Sequence, residues 1–143
     1  MLEGITSIDT PKHGFKNIKE ARYWAKENIV GIYRNVETGE DIRVSRKSID
    51  KYLSESATQK SVDLNAHLSA LKVLPKLIEA SVLRETAKDR DSDQNVVEIQ
   101  RFFGVISYEN SSYPVKLTVK VTKSEGGKAY SYEVMKVENP KSS

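Results

Sequence analysis

The chain contains no cysteine and only two histidines. The lack of cysteine excludes disulfide bonds and thiolate metal sites, and the scarcity of histidine disfavours a histidine-rich metal site. No apolar run approaches the roughly 20 residues that span a bilayer. The segment 1–5 also lacks the basic-then-apolar pattern of a secretory signal. We therefore expect a cytoplasmic protein with no metal, no cofactor and no membrane partner.

The excess of positive over negative charge is also small. The net charge is only +3, although the pI is about 9.0. A general nucleic-acid binder usually carries a denser basic stripe, so the composition permits such a ligand without requiring it. The 143 residues, 38% hydrophobic and 30% charged, have the size and balance of one globular domain. We predict a loose lead-in over 1–16, a single domain over 17–138 and a frayed tail over 139–143.

The first two thirds of the chain show mostly helical periodicity. Asn17 is a good N-cap for a helix that runs to about Asn28, and residues 30–44 have the pattern of a short β-hairpin. Ser45 can cap a second helix, and the polar segment 54–61 is typical of a surface loop. A further helical stretch begins near Asp63 or Asn65 and reaches Val82, with a kink or restart at Pro75. A solvated loop is predicted for 86–95.

From Val96 onward the apolar period becomes two, which indicates β-strands. We predict strands over 96–108, 113–122 and 130–138, the last two joined by a turn at Gly126-Gly127. The predicted fold class is therefore α+β. N-terminal helices pack on one face of a C-terminal antiparallel sheet of about four strands, with the hairpin of 30–44 beside it.

Polar residues alternate along the strand over 113–122, where Lys116, Thr118 and Lys120 share one face. Two lysines and a hydroxyl on an open sheet face can hold a phosphate. An ordinary solvent-facing surface gives the same pattern. Arg101 lies in the strand over 96–108, in phase with Ile99 and other apolar residues. It therefore requires either a carboxylate partner or an anionic ligand.

His67 falls in the first turn of the predicted long helix, where the helix dipole tends to lower an imidazole pKa. It is either a structural histidine or a group that exchanges protons near neutral pH. Ser45 and Lys47 stand where a strand meets a helix, as a simple cap or as part of an anion site. RNA cleavage without a metal would use these residues, with Lys116, Lys120, Arg101 or Lys47 neutralising the phosphate. Tyr132 or Tyr130 would either orient the phosphate or donate a proton.

Several segments in this order and spacing resemble the barnase-like nuclease domains of the large polyvalent proteins of phages and conjugative elements. These domains belong to the barnase–EndoU–colicin–RelE fold group. The resemblance runs from about Val30 to Glu138. The segments that carry it are Val30-Gly31-Ile32-Tyr33, Val44-Ser45-Arg46-Lys47-Ser48-Ile49, His67-Leu68-Ser69-Ala70-Leu71, Leu77-Ile78-Glu79-Ala80, Arg101-Phe102-Phe103, Val115-Lys116-Leu117-Thr118-Val119-Lys120 and Tyr130-Ser131-Tyr132-Glu133.

The resemblance implies helices on a four-stranded antiparallel sheet and a metal-independent endoribonuclease that uses the 2′-hydroxyl of RNA. His67, Lys116, Thr118 and Tyr132 would be catalytic. Ser45, Lys47, Arg101 and Lys120 would bind phosphate. The general base of such enzymes is often a glutamate, and Glu79, Glu98 and Glu133 are open candidates.

The expected partners are RNA and either a cognate inhibitor or other domains of a larger polyprotein. One alternative is a non-catalytic module that binds RNA or protein through the basic sheet face. Another is an interaction domain that works only within a larger polyprotein. The distance between His67 and the lysine face discriminates between cleavage and binding.

Overall fold

The fold, taken from a computed structural model, is described for residues 4–88 and 95–140. Within these ranges the chain forms five helices and one sheet of seven strands, so the α+β class is confirmed. In chain order the elements are β1 (Ser7–Asp9), α1 (Ile18–Asn28), β2 (Gly31–Arg34), β3 (Asp41–Val44), α2 (Arg46–Tyr52), α3 (Glu55–Gln59), α4 (Leu64–Lys72), α5 (Leu74–Ala80), β4 (Val82–Ala87), β5 (Val96–Tyr108), β6 (Ser111–Ser124) and β7 (Gly127–Val137).

Three polar side chains begin the helices where the sequence predicts them. Asn17, Ser45 and Asp63 each accept a hydrogen bond from the N–H group three residues later, at 2.8, 3.2 and 3.1 Å. Each bond satisfies a backbone donor that has no partner inside the helix. The predicted break at Pro75 is confirmed, because α4 ends at Lys72 and α5 restarts with Pro75 in its first turn.

The sheet is larger than the predicted one of about four strands. Its strand order is β1-β5-β6-β7-β3-β2, and β4 also pairs with β5. The hairpin of β2 and β3 is confirmed, but it belongs to the same sheet, since β3 pairs in parallel with β7 at Ile42 and Arg43. Long-range pairing of this kind leaves no periodic signal in either strand, so the sequence alone could not reveal it.

Three other predictions were wrong in part. Residues 7–9 of the expected loose lead-in form β1, which pairs in parallel with β5. The expected surface loop over 54–61 contains α3, with Ser54 as its N-cap. Val82, expected at the end of a helix, begins β4, which extends to Ala87. Most of β4 is exposed and polar, and backbone pairing to β5 holds it in place without an alternating apolar pattern. The rest of the predicted loop, 89–94, lies outside the described residues.

The core lies between the helices and one face of the sheet. Helices α4 and α5 pack against β5, while α2 and α4 pack against β7. The predicted alternation along β6 is confirmed, because Val115, Leu117, Val119 and Val121 are buried and the residues between them are half-exposed. At Gly104 of β5 a Cβ atom would come within 2.7 Å of the Ser81 hydroxyl, so the strand and the end of α5 approach closely.

Candidate functional site: two grooves along strand β6

Strand β6 carries Lys116, Thr118 and Lys120 on the face opposite the core. Residues four apart on a strand lie about 13 Å from each other, so Lys116 and Lys120 occupy different parts of this face. The structure places them in two separate grooves. The candidate site residues are therefore divided between the grooves rather than gathered in one.

The histidine groove, as we call the first, has a volume of about 420 Å³. It brings together four of the predicted residues: His67, Arg101, Lys116 and Thr118. The register explains part of this set, since Arg101 on β5 pairs with Thr118 on β6. Lys60, at the end of α3, and Lys136 on β7 also line it. His67 therefore lies beside the Lys116 end of the basic face and not on the far side of the helices.

His67 is held tightly by the end of α2. Its Nε2 atom lies 2.9 Å from the backbone oxygen of Tyr52, and the two rings stack with centroids 3.8 Å apart. The Tyr52 hydroxyl in turn donates to the backbone oxygen of His67 at 2.6 Å. Because a carbonyl only accepts, Nε2 carries the hydrogen and Nδ1 is the acceptor atom of the neutral ring. Within residues 4–88 and 95–140, no hydrogen bond involves Nδ1.

Burial also favours the neutral form of His67, whose exposed fraction is only 4%. Burial lowers the pKa of His67 below its ordinary value, and the hydrogen bond to the Tyr52 carbonyl opposes that shift in part. The helix dipole was the expected cause of a lowered pKa at His67. The principal cause is instead desolvation by the tertiary packing around the ring.

The phase of Arg101 with apolar residues suggested that its side chain faces the core. In the structure it does not. Gln100 and Phe102 point to the core, whereas Ile99, Arg101 and Phe103 face outward and are half-exposed. The guanidinium lies 3.6 Å from a carboxylate oxygen of Glu85 on β4. A carboxylate partner was one of the two expectations, but this partner is in a strand that the sequence analysis did not predict. The pair is long and exposed, so it leaves Arg101 able to meet an anion.

The second groove, which we call the serine groove, has a volume of about 470 Å³. It contains the other four predicted residues: Ser45, Lys47, Lys120 and Tyr132. Its positive charge is largely compensated. Lys51 lies 2.6 Å and Lys120 lies 3.7 Å from the same carboxylate oxygen of Glu133.

Glu133 is the acidic centre of the serine groove. Partial burial by itself would raise the pKa of Glu133, but the hydrogen bond from Lys51 and the charges of Lys51 and Lys120 together lower it below its ordinary value. A carboxylate held ionised in this way is a poor proton acceptor. Of the three glutamates considered as a general base, all of them described in the structure, Glu133 alone lines either of these two grooves.

Tyr132 cannot donate a proton to a bound phosphate in this conformation. The side chain is 2% exposed, and its hydroxyl has no hydrogen-bond partner among the described residues. It faces the core because a bulge in β7 places it opposite the buried Val119 rather than opposite Lys120. Burial raises the pKa of Tyr132 far above its ordinary value, which holds the phenol neutral.

Sequence reasoning missed three lysines that line these grooves, Lys51, Lys60 and Lys136, and it missed the contact between Tyr52 and His67. Tyr52 was recognised only as an apolar helix residue. Lys51 and Lys60 were not singled out from the sequence, and Lys136 lies on the same sheet face as Lys116, with which it pairs. The β6–β7 hairpin could have identified Lys136, because directly paired residues share a face. No sequence signal connects Tyr52 with His67.

In the described part of the chain, no group of three or more histidine, aspartate or glutamate side chains is arranged to hold a metal ion. None of the helices in residues 4–88 and 95–140 has the length and apolar character to cross a membrane.

Together, the fold and the grooves define an α+β domain with a cationic sheet face. A family model described as large polyvalent protein-associated domain 3 matches residues 14–130, which is most of the chain. The chain belongs to this family. The association with large polyvalent proteins, which was predicted from the sequence, is therefore confirmed. Comparison with curated proteins found no match, and comparison with solved structures also found none.

Proposed function

We propose that the chain is a metal-independent endoribonuclease that cleaves RNA in the histidine groove. The observation that carries this proposal is the convergence of His67, Lys116, Thr118 and Arg101 on one groove. Cleavage through the 2′-hydroxyl needs a proton acceptor and cations beside the phosphate. The groove supplies both, and the resemblance to barnase-like nucleases points to the same chemistry.

In this proposal Nδ1 of His67 takes the proton of the 2′-hydroxyl. The ring is suited to this role, because its lowered pKa keeps it neutral at pH 7 and the Tyr52 carbonyl fixes the hydrogen on Nε2. The 2′-oxygen then bonds to phosphorus as the bond to the 5′-oxygen breaks, which leaves a 2′,3′-cyclic phosphate. The departing 5′-oxygen receives a proton from a lysine ammonium group or from water.

Lys116 and Arg101 stabilise the negative charge that develops on the phosphate oxygens, and the Thr118 hydroxyl adds a hydrogen bond. Lys116 has no ion pair in residues 4–88 and 95–140, so its charge is available to a ligand. Lys47 and Lys120 in the serine groove contact the same RNA further along its backbone. Tyr132 has no part in this mechanism, because its hydroxyl is buried in the core.

The test is cleavage of a labelled, structured RNA by purified protein in EDTA. The proposal expects a product ending in a 2′,3′-cyclic phosphate, no cleavage when the 2′-hydroxyl is replaced by hydrogen, and loss of cleavage in His67→Gln and Lys116→Ala. Glutamine retains a donor toward the Tyr52 carbonyl but cannot act as a base. Lys123→Ala is the matched control, since Lys123 is an exposed lysine on the same strand. Equal cleavage by His67→Gln and the parent protein would sink the mechanism.

A second candidate function is RNA binding without cleavage. The low exposure of His67 favours it, because a base must reach the 2′-hydroxyl to remove its proton. This module would bind RNA with a steep salt dependence and leave it intact in the same assay. His67→Gln would then retain the parent affinity, whereas Lys116→Ala would not.

A further inference from the structure

Strand β2 forms one end of the sheet, and no second strand in the described part of the chain pairs with its outer backbone edge. The backbone N–H of Asn35 donates to the Glu40 oxygen at 2.9 Å, which makes this a hydrogen-bonded pair of the hairpin. Such pairs alternate along an antiparallel ladder, so Gly31 and Tyr33 also bond to β3. The N–H and C=O groups of Ile32 and Arg34 therefore point away from β3. No backbone hydrogen bond within residues 4–88 and 95–140 engages them.

Apolar side chains flank this open edge. Val30 is 40% exposed and Ile32 is 57% exposed. Both line a third groove of about 560 Å³, which we call the edge groove. Ile32 lies directly opposite Arg43 on the solvent face of the hairpin. Exposed β-branched residues beside an unpaired edge are a risk for unwanted association unless the edge has a partner.

Three cations complete the edge groove. Arg43, Arg46 and Lys47 line it and are exposed. Within the part of the chain that the structure describes, none of the three has an ion pair or a side-chain hydrogen bond. Arg34, at the other end of β2, is by contrast bound to Asp41 at 3.0 Å. The uncompensated positive charge is thus concentrated beside Val30 and Ile32.

We propose that the edge groove binds an extended polypeptide segment that carries acidic and apolar side chains and adds a strand to β2. The backbone of Ile32 and Arg34 supplies the hydrogen bonds, Val30 and Ile32 the apolar contact, and the three cations the preference for acidic residues. This surface is independent of the ribonuclease proposal, apart from Ser45 and Lys47, which line both the serine groove and the edge groove. Association of the family with large polyvalent proteins offers neighbouring polypeptide as a source of such a segment.

The experiment uses two short peptides with blocked ends, one alternating glutamate with valine and the other alternating lysine with valine. Binding to the full chain is measured by titration, and the amides of Ile32 and Arg34 are followed by NMR and by hydrogen exchange. The acidic peptide is expected to bind and to slow the exchange of both amides. The lysine peptide is expected to bind at least about tenfold more weakly, because like charges oppose it.

The triple variant R43E/R46E/K47E is expected to reverse this preference. The control K16E/K19E/K128E changes the net charge equally at exposed lysines outside the edge groove and should keep the parent preference. Equal affinity for both peptides, no binding of the acidic peptide, or binding that leaves the Ile32 and Arg34 amides unchanged would overturn the proposal. So would protection of these amides that rises with protein concentration alone, because a second copy of the chain would then be the occupant.

Discussion

The histidine groove and the serine groove lie on the same strand and have similar volumes, yet they differ in charge and in proton chemistry. In the histidine groove, no carboxylate is among the lining residues that the structure describes, and Glu85 approaches only Arg101. In the serine groove, Glu133 binds two of the three lysines. The histidine groove also contains a neutral base, whereas the Glu133 carboxylate of the serine groove is held ionised.

This difference shows that a count of basic residues is a poor guide to an anion site. Lys116 and Lys120 are equivalent in the sequence pattern, since both alternate with buried valines or leucine on β6. Their environments differ because β7 places Lys136 opposite Lys116 and Ser131 opposite Lys120, and the bulge in β7 brings Glu133 to Lys120. The tertiary structure therefore separates a site with free cations from one with compensated cations.

The largest expected effect is on cleavage, and it would establish the histidine groove as the catalytic one. His67→Gln is expected to lower kcat by about 10²–10⁴-fold, the usual contribution of a general base. Glu133→Gln, which removes the other candidate base, should leave kcat within about threefold, because changes outside a reacting centre are usually small. Single-turnover cleavage in EDTA measures both. A greater loss in Glu133→Gln than in His67→Gln would reverse the assignment.

A smaller effect is expected from Tyr52→Phe, which tests whether the histidine groove depends on its supporting hydrogen bond. The substitution removes the hydroxyl that donates to the His67 backbone oxygen at 2.6 Å, and that oxygen keeps only its bond within helix α4. The free energy of unfolding should fall by about 0.5–1.5 kcal/mol. Urea denaturation gives this value. Tyr23→Phe, at an exposed tyrosine, should change it by less than about 0.5 kcal/mol.

The lysines themselves provide the next comparison. Lys116→Ala should reduce the dependence of log Kd on log salt by about 0.7, the value for one phosphate contact on single-stranded RNA. Lys120→Ala should reduce it less, because Lys120 is already partly neutralised by Glu133. Glu133→Gln should bring the two lysines to similar contributions. Filter binding over a range of salt concentrations measures all three slopes, and equal slopes for the two single lysine variants would contradict the comparison.

The smallest expected effect is on stability across pH. The pKa of His67 is lowered in the folded protein, whereas in the unfolded chain it has its ordinary value of about 6.5. Below about pH 6.5, His67 therefore binds a proton more readily in the unfolded chain than in the folded protein. The unfolding free energy should therefore be fully retained above about pH 6.5 and fall as the pH decreases through the lowered pKa of the folded state. Urea denaturation at several pH values should show this loss in the parent. His67→Gln should be less sensitive over the same range, and identical pH dependence in the two proteins would refute the assignment.

Much of the fold was accessible from local chemistry. Caps at Asn17 and Ser45 could be predicted because an N-cap depends on a few neighbouring residues, whereas for α4 only a start near Asp63 or Asn65 was predicted. Strands β5 to β7 could be predicted because alternation along β6 records which face is buried. β1 and β4 were missed, since each is held by backbone pairing to β5 and has no apolar alternation of its own.

The candidate site divides in the same way. The sequence by itself determined that Lys116, Thr118 and Lys120 share a strand face, because the period of a strand is two residues. Only the tertiary structure decided that His67 joins Lys116 and Thr118, that Tyr132 points into the core and that Glu133 neutralises Lys120. Those outcomes depend on contacts between residues far apart in the chain and on one bulge in β7. Neither leaves a periodic signal in the sequence.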